Sequence, residues 1–122
     1  MPGKMVHVEI PADDTGKGRE FWGGLFGWQF GEYGEGSDYH MARIDGESGV
    51  AVSASQPGQA GPRVYFDVDE IRAAAARVKE LGGQADEPTP VPTMGWFVTC
   101  RDPHGNDFGL WQSDPEAPSV EM

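Results

Sequence analysis

Two short stretches of this 122-residue chain pair groups that can move protons. In VHVEI, from Val6, His7 and Glu9 alternate with Val8 and Ile10. A strand would put the polar pair on one face and the apolar pair on the other. In PRVYFDVDE, from Pro62, Arg63, Tyr65 and Asp67 alternate in the same way with Val64, Phe66 and Val68. A carboxylate near an imidazole suits general acid–base chemistry, with Glu9 or Asp67 as base and His7 as acid or base. The same carboxylates suit a cationic ligand, and Tyr65 with Trp28, Trp96 and Trp111 offers stacking area.

The remaining reactive side chains have structural readings that compete with functional ones. His104 lies within DPHGN, where Pro103 suits the first central position of a turn and Gly105 can take positive φ. It is expected to be an exposed turn residue. His40 begins the run HMARI, and alternation sets His40, Ala42 and Ile44 against Tyr39, Met41 and Arg43 without saying which face is which. Cys100, in the strand-like WFVTC, is expected to be a small core residue.

The elements that must position these groups occur twice. Setting Val8 on Val64 at an offset of 56 residues also sets Ile10 on Phe66, Trp22 on Val78, Leu25 on Leu81 and Gly27 on Gly83. A fixed offset with the same element order marks a duplicated unit. Each copy reads as a strand, a helix and three strands, so the chain is α+β, with two tandem βαβββ modules. The first module spans 5–55 and the second 62–112, joined by a linker at 56–61 that lies within QPGQAGP, residues 56–62. The further strands fall at about 28–32, 39–44 and 49–53, then 84–87, 95–101 and 107–112. In the second helix Ile71, Ala74, Ala75, Val78 and Leu81 form an apolar face, with Asp69 as N-cap. In the first, Trp22 and Phe26 are expected to be core. Residues 1–4 and the tail, 113–122, carry little that would pack, so disorder is expected there.

Charge and composition narrow the partners. A formal charge of −11 disfavours nucleic acid and anionic membranes. The single cysteine leaves no internal disulfide and fits a reducing compartment. No apolar run is long enough to span a bilayer and no signal peptide is visible, so the expectation is a cytoplasmic protein.

Paired βαβββ modules, a first strand beginning with His7, a helix ending near LFGW and a closing DPHGNDFGLW resemble the vicinal oxygen chelate superfamily. Its members include glyoxalase I, the bleomycin resistance proteins and the extradiol dioxygenases. The resemblance implies that the modules curl into a mixed-sheet cup, and that the chain pairs as a homodimer. It also implies a divalent metal held by His or Gln on each module's first strand and Glu on its last. Carried onto this chain, those positions are His7, Arg63, the strand GVAVS at 49–53, and Gly109. Arg63 has no lone pair to offer, GVAVS has no carboxylate, imidazole or amide side chain, and Gly109 has no side chain at all. Three of four ligand positions are lost, so neither metal nor other cofactor is expected.

On the same resemblance His7, Glu9, Arg63, Tyr65, Asp67, Trp96, Gly109 and Trp111 would line the cup. Gly109 would leave empty volume beside Trp111. The function implied is that of a glyoxalase or bleomycin resistance-like protein holding an organic ligand, cationic aromatics included, in an aromatic cleft. The alternative is a glyoxalase-like lyase or isomerase working through Glu9 and His7. A dioxygenase is disfavoured because its iron needs two histidines and a carboxylate.

Overall fold

The structure is a computed structural model and describes residues 3–32, 38–57, 59 and 61–119. The chain forms two compact units, one of residues 7–63 and one in which residues up to Val6 join those from Val64 onward. Each unit is a mixed sheet carrying one helix.

In the 7–63 unit the elements are β1 (Met5–Ala12, whose first two residues belong to the other unit), α1 (Thr15–Phe26), β2 (Gly31–Glu32), β3 (Tyr39–Arg43) and β4 (Gly49–Ala54). The strand order is β2-β3-β4-β1, with β4 parallel to β1 and the other pairs antiparallel. Alternation sorts the side chains. Val8, Ile10, Val50 and Val52 point to the α1 side, and His7, Glu9, Gly49 and Ala51 to the other. Asp14 caps α1 by accepting a hydrogen bond from the Lys17 amide at 3.1 Å, and Gly27 ends it at φ 75°.

Helix α1 does not bury the face its aromatics suggest. A Cβ on Gly18 would sit 3.0 Å from Val52 Cγ1, so the helix lies against the sheet where it has no side chain. Phe21, Leu25 and Phe26 consequently turn outward and are more than half exposed. Trp22 is half-buried and stacks on Trp28, with ring centroids 5.9 Å apart and planes 12° from parallel. The core role expected of Phe26 is thus corrected.

The second unit contains β5 (Arg63–Asp67, of which Arg63 belongs to the first), α2 (Ile71–Glu80), β6 (Gln84–Ala85), β7 (Thr89–Val91), β8 (Gly95–Arg101) and β9 (Asp107–Ser113). Its order is β5-β9-β8-β6, and β7 also pairs with β8. Its core consists of Ile71 and Ala75 from α2 over Val98, Cys100 and Leu110. The α2 start is capped from afar. Glu70 occupies the N-cap without a side-chain bond, and the Ile71 amide donates to Gln112 Oε1 at 2.8 Å. Asp69 is therefore not the cap.

Both ends of the described chain are tied down. The Gly3 amide donates to the Asp67 carbonyl at 2.7 Å, and the Asp67 amide to the Lys4 carbonyl at 2.8 Å. Beyond β9, Trp96 Nε1 donates to Asp114 at 3.0 Å, the Thr93 amide to the Ala117 carbonyl at 3.0 Å, and Ala117 is buried. The disorder expected from residue 113 onward is therefore not found in 113–119. Residues 1, 2 and 120–122 lie outside the described set.

Candidate functional site

The face of the 7–63 sheet turned away from α1 collects polar groups around a floor of small residues. On β4, the middle strand, this face carries Gly49, Ala51 and Ser53, and neighbouring β1 contributes His7, Glu9 and Pro11 in register with them. From β3, on the far side of β4, Tyr39, Met41 and Arg43 point the same way. The β1 and β3 backbones are about 9.5 Å apart, two strand spacings. Tyr39 spans that gap over β4. Its hydroxyl donates to Glu9 Oε2 at 2.7 Å and meets His7 Nε2 at 2.8 Å. Glu9 Oε1 accepts from Arg63 Nη1 at 3.4 Å. Four side chains from three strands thus form one chain of hydrogen bonds, with fully buried Ala51 on the strand it bridges. A larger side chain at Ala51 would occupy the space through which Tyr39 reaches.

This arrangement sets the electrostatics. Burial holds the His7 imidazole below its usual pKa, with Arg43 adding to the effect and Glu9 opposing it. His7 is therefore neutral at physiological pH and keeps a lone pair. The Glu9 charge faces the Arg63 guanidinium, both side chains being largely buried. The expected attraction for a cationic ligand is weakened accordingly, since Glu9 already has a cation beside it.

His40 lies on the opposite, helix-side face. It is buried, and its Nε2 pairs with Asp38 Oδ1 at 3.0 Å; the same oxygen accepts from Thr15 Oγ1 at 2.6 Å. Hydrogen bonds from Thr15 and His40 pull the Asp38 carboxyl below its normal range. The cluster ties the start of α1 to the start of β3, a structural role.

In the other unit Tyr65, Asp67, Gly109 and Trp111 share one sheet face with Phe97 of β8. The space at Gly109 is not empty. A Cβ there would lie 2.9 Å from Tyr65 Cγ and closer still to Cδ2 and Cε2, so the buried Tyr65 ring covers the glycine. Trp111 does the same over Gly95, where a Cβ would lie 2.6 Å from Trp111 Cζ2. The open volume expected beside Trp111 is thus filled at Gly109 by a ring of the protein itself. Trp96 is on the other face, packed against the α2 core with the Arg72 guanidinium 5.7 Å from its ring centroid. Its odd–even position relative to Phe97 puts it there, so it does not share the face of Tyr65 and Trp111 as expected.

The closing loop behaves as its residues dictate. Asp102 Oδ1 accepts the amides of His104 and Asn106, both at 2.9 Å, and Gly105 has φ 85°. His104 is exposed. Cys100 is buried and its thiol is pushed up to about 11, mainly by burial, which disqualifies it as a nucleophile.

A sequence profile described as a glyoxalase-like domain matches residues 6–111. The chain belongs to that family. CFP32 of Mycobacterium tuberculosis, which carries the name of a glyoxylase, is 30% identical over 116 residues covering 88% of this chain and 44% of that protein. The anthracycline biosynthesis protein DnrV of Streptomyces peucetius is 29% identical over 131 residues, covering 91% of this chain and 47% of its own. The chain thus spans less than half the length of these curated relatives. Among solved structures, a methylmalonyl-CoA epimerase of Streptomyces coelicolor superposes with a TM-score of 0.70 at 19% identity, covering 98% of this chain and 100% of that one. A glyoxalase/bleomycin resistance protein/dioxygenase superfamily member from Vibrio splendidus gives 0.69 at 18%, covering 91% and 99%. These likenesses show the vicinal oxygen chelate fold.

The donor set can be tested against the family's divalent metal. His7 directs Nε2 at Tyr39, and Arg63 is a cation bonded to Glu9. On β4 the same face carries only Gly49, Ala51 and Ser53, and in the other unit the Tyr65 ring covers Gly109. Among the described residues no three His, Cys, Asp or Glu side chains are grouped to hold an ion. Among the same residues no helix is long and apolar enough to cross a membrane.

Sequence alternation found His7, Glu9 and Arg63 but missed Tyr39. The signal for it was present in the small residues of GVAVS, which leave room for one long side chain to cross the strand.

Proposed function

We propose that this glyoxalase-like protein binds a small organic molecule against the face of its 7–63 sheet turned away from α1, without a divalent metal. The observation that carries the reading is the Tyr39 hydroxyl bonded to both Glu9 and His7, a preorganised polar group on a sheet face that the unit's own helix does not cover. With Arg63 beside Glu9 and Arg43 on the same face, carbonyl, hydroxyl or carboxylate oxygens suit it better than a bare cation. A relative named for anthracycline biosynthesis supports an organic ligand.

A second reading, a glyoxalase-like lyase or isomerase, is favoured by the same hydrogen-bonded chain, because it links a carboxylate to a neutral imidazole. A homodimer and a cytoplasmic location fit either reading. A thermal-shift panel of cationic aromatic antibiotics and of the hemithioacetal of methylglyoxal with glutathione separates the two. Stabilisation without turnover supports binding alone, and turnover of the hemithioacetal supports the enzyme. No stabilisation by any member carrying an acceptor oxygen would count against both.

A further inference from the structure

We infer that α1 carries the face through which two copies of this chain pair, as antiparallel helices about a two-fold axis between Phe21 and Gly24. Pairing there leaves either ligand reading untouched, because α1 and Tyr39 lie on opposite sides of the same sheet.

The outer face of α1 is unusually apolar for a helix surface. Phe21, Leu25 and Phe26 are 61%, 58% and 56% exposed. At roughly 150–250 Å² for a whole aromatic side chain, they leave on the order of 300 Å² of carbon in water. That is the size of a functional patch, and it suits the apolar centre of an interface burying about 800 Å² per protomer. The patch is also braced from within. Trp22 stands edge-on to Phe21 with centroids 5.2 Å apart, and stacks on Phe26 at 6.0 Å and on Trp28 at 5.9 Å. Rings held by other rings lose little freedom when a partner covers them.

Three features select a second copy as that partner. The first is shape. Lys17, Glu20, Phe21, Gly24 and Leu25 follow one another at helical spacing and are all exposed. A Cβ on Gly24 would meet nothing within 4 Å, so one surface carries both a knob, the Phe21 ring, and a gap beside it. An antiparallel two-fold contact sets Phe21 of each copy against Gly24 of the other and fills both gaps at once. The second feature is charge. A cation in the first turn opposes the helix dipole, and α1 has Lys17 there and no basic residue in its last turn. About the same axis Lys17 falls beside the partner's Trp28, just past the Gly27 cap, where the last carbonyls form the negative pole. A net charge of −11 makes two copies repel, but within α1 Lys17 and Arg19 outnumber Glu20, so two such faces meet without adding to it. The third feature is length. CFP32 and DnrV, of which this chain spans 44% and 47%, each have room for a second domain of its size, and a second copy would supply one.

Sedimentation equilibrium of the full chain over a concentration series tests this pairing. The wild type should reach twice the mass of one chain by about 100 µM and dissociate on dilution. Leu25→Glu, at an exposed position, should raise the dissociation constant at least about a hundredfold, since a two-fold contact meets each change twice. Gly24→Phe separates a specific contact from a merely sticky surface. It adds apolar area, yet it should weaken pairing at least about tenfold, because it fills the gap that the partner's Phe21 enters. Leu81→Glu, at a residue 62% exposed in the other unit, should change nothing. A wild type still monomeric at about 100 µM, pairing left intact by Leu25→Glu, or tighter association of Gly24→Phe would overturn the inference. Loss of pairing in Leu81→Glu would place the contact on the other unit and overturn it equally.

Discussion

Gly109→Ala should destabilise the protein markedly, although the change adds one methyl group. The added Cβ would lie 2.9 Å from Tyr65 Cγ and closer to Cδ2 and Cε2. Carbon atoms in contact prefer roughly 3.5–4.0 Å, so the ring must retreat by well over half an ångström. Tyr65 is buried and its ring sits edge-on to Phe97, with centroids 6.4 Å apart, so retreat disturbs a second aromatic. Overpacking of this kind costs about 1–3 kcal/mol. For a chain of this size each kcal/mol lowers Tm by roughly 4 °C, giving an expected fall of about 4–12 °C by differential scanning calorimetry. Tyr65→Ala is the control. It should be costly by itself, about 3–5 kcal/mol, but in its background Gly109→Ala should cost almost nothing, because the space has been vacated. A Gly109→Ala variant within about 1 °C of wild type, or one with the same penalty in both backgrounds, would mean that the Tyr65 ring does not fill the space at Gly109. Gly109→Glu faces the same obstacle, so restoring the family's carboxylate would not by itself restore a ligand.

Three further outcomes follow from the site and the core. Ala51→Leu should block the path of Tyr39 over β4 and cost about 1–3 kcal/mol in urea melts. Stability should fall with acid more steeply in the wild type than in His7→Gln. Burial lowers the folded His7 pKa below its unfolded value of 6.5, so as pH falls through 6.5 the unfolded chain gains a proton that the folded chain refuses. Above that pH both states are neutral there and the two proteins should run parallel. Cys100 should react with iodoacetamide about a hundredfold more slowly than an ordinary thiol, since a shift from 9.0 to about 11 cuts the thiolate fraction by two powers of ten. Rapid labelling of the native protein would contradict its placement in the core.

What the sequence disclosed was what depends on neighbours along the chain. VHVEI and RVYFD reveal their two faces because polar and apolar residues alternate strictly. DPHGN reveals its loop because Asp102 bonds residues two and four positions ahead. Across-strand facts stayed hidden. In YHMAR both faces carry polar residues, so nothing local says that Tyr39 joins His7 and Glu9 while His40 goes under the helix. The α2 start is held by Gln112, 41 positions away, which no capping pattern at Asp69 or Glu70 could indicate. On α1 the misleading signal was hydrophobicity itself. The aromatics looked like a core face, but the contact belongs to Gly18, whose lack of a side chain lets the helix lie close to Val52. Gly109 misled in a similar way, since an absent side chain says nothing of which neighbour fills the space.

In the proposed function the Tyr39-bridged pair of His7 and Glu9 anchors the ligand. Calorimetric titration of the strongest stabiliser from the panel into wild type, Tyr39→Phe and Glu9→Gln tests it most directly. Loss of a hydrogen bond to a charged group is worth about 1.5–3 kcal/mol, so both variants should bind roughly 10- to 150-fold more weakly while keeping the wild-type fold. Undiminished affinity in both variants would place the ligand elsewhere and contradict the claim.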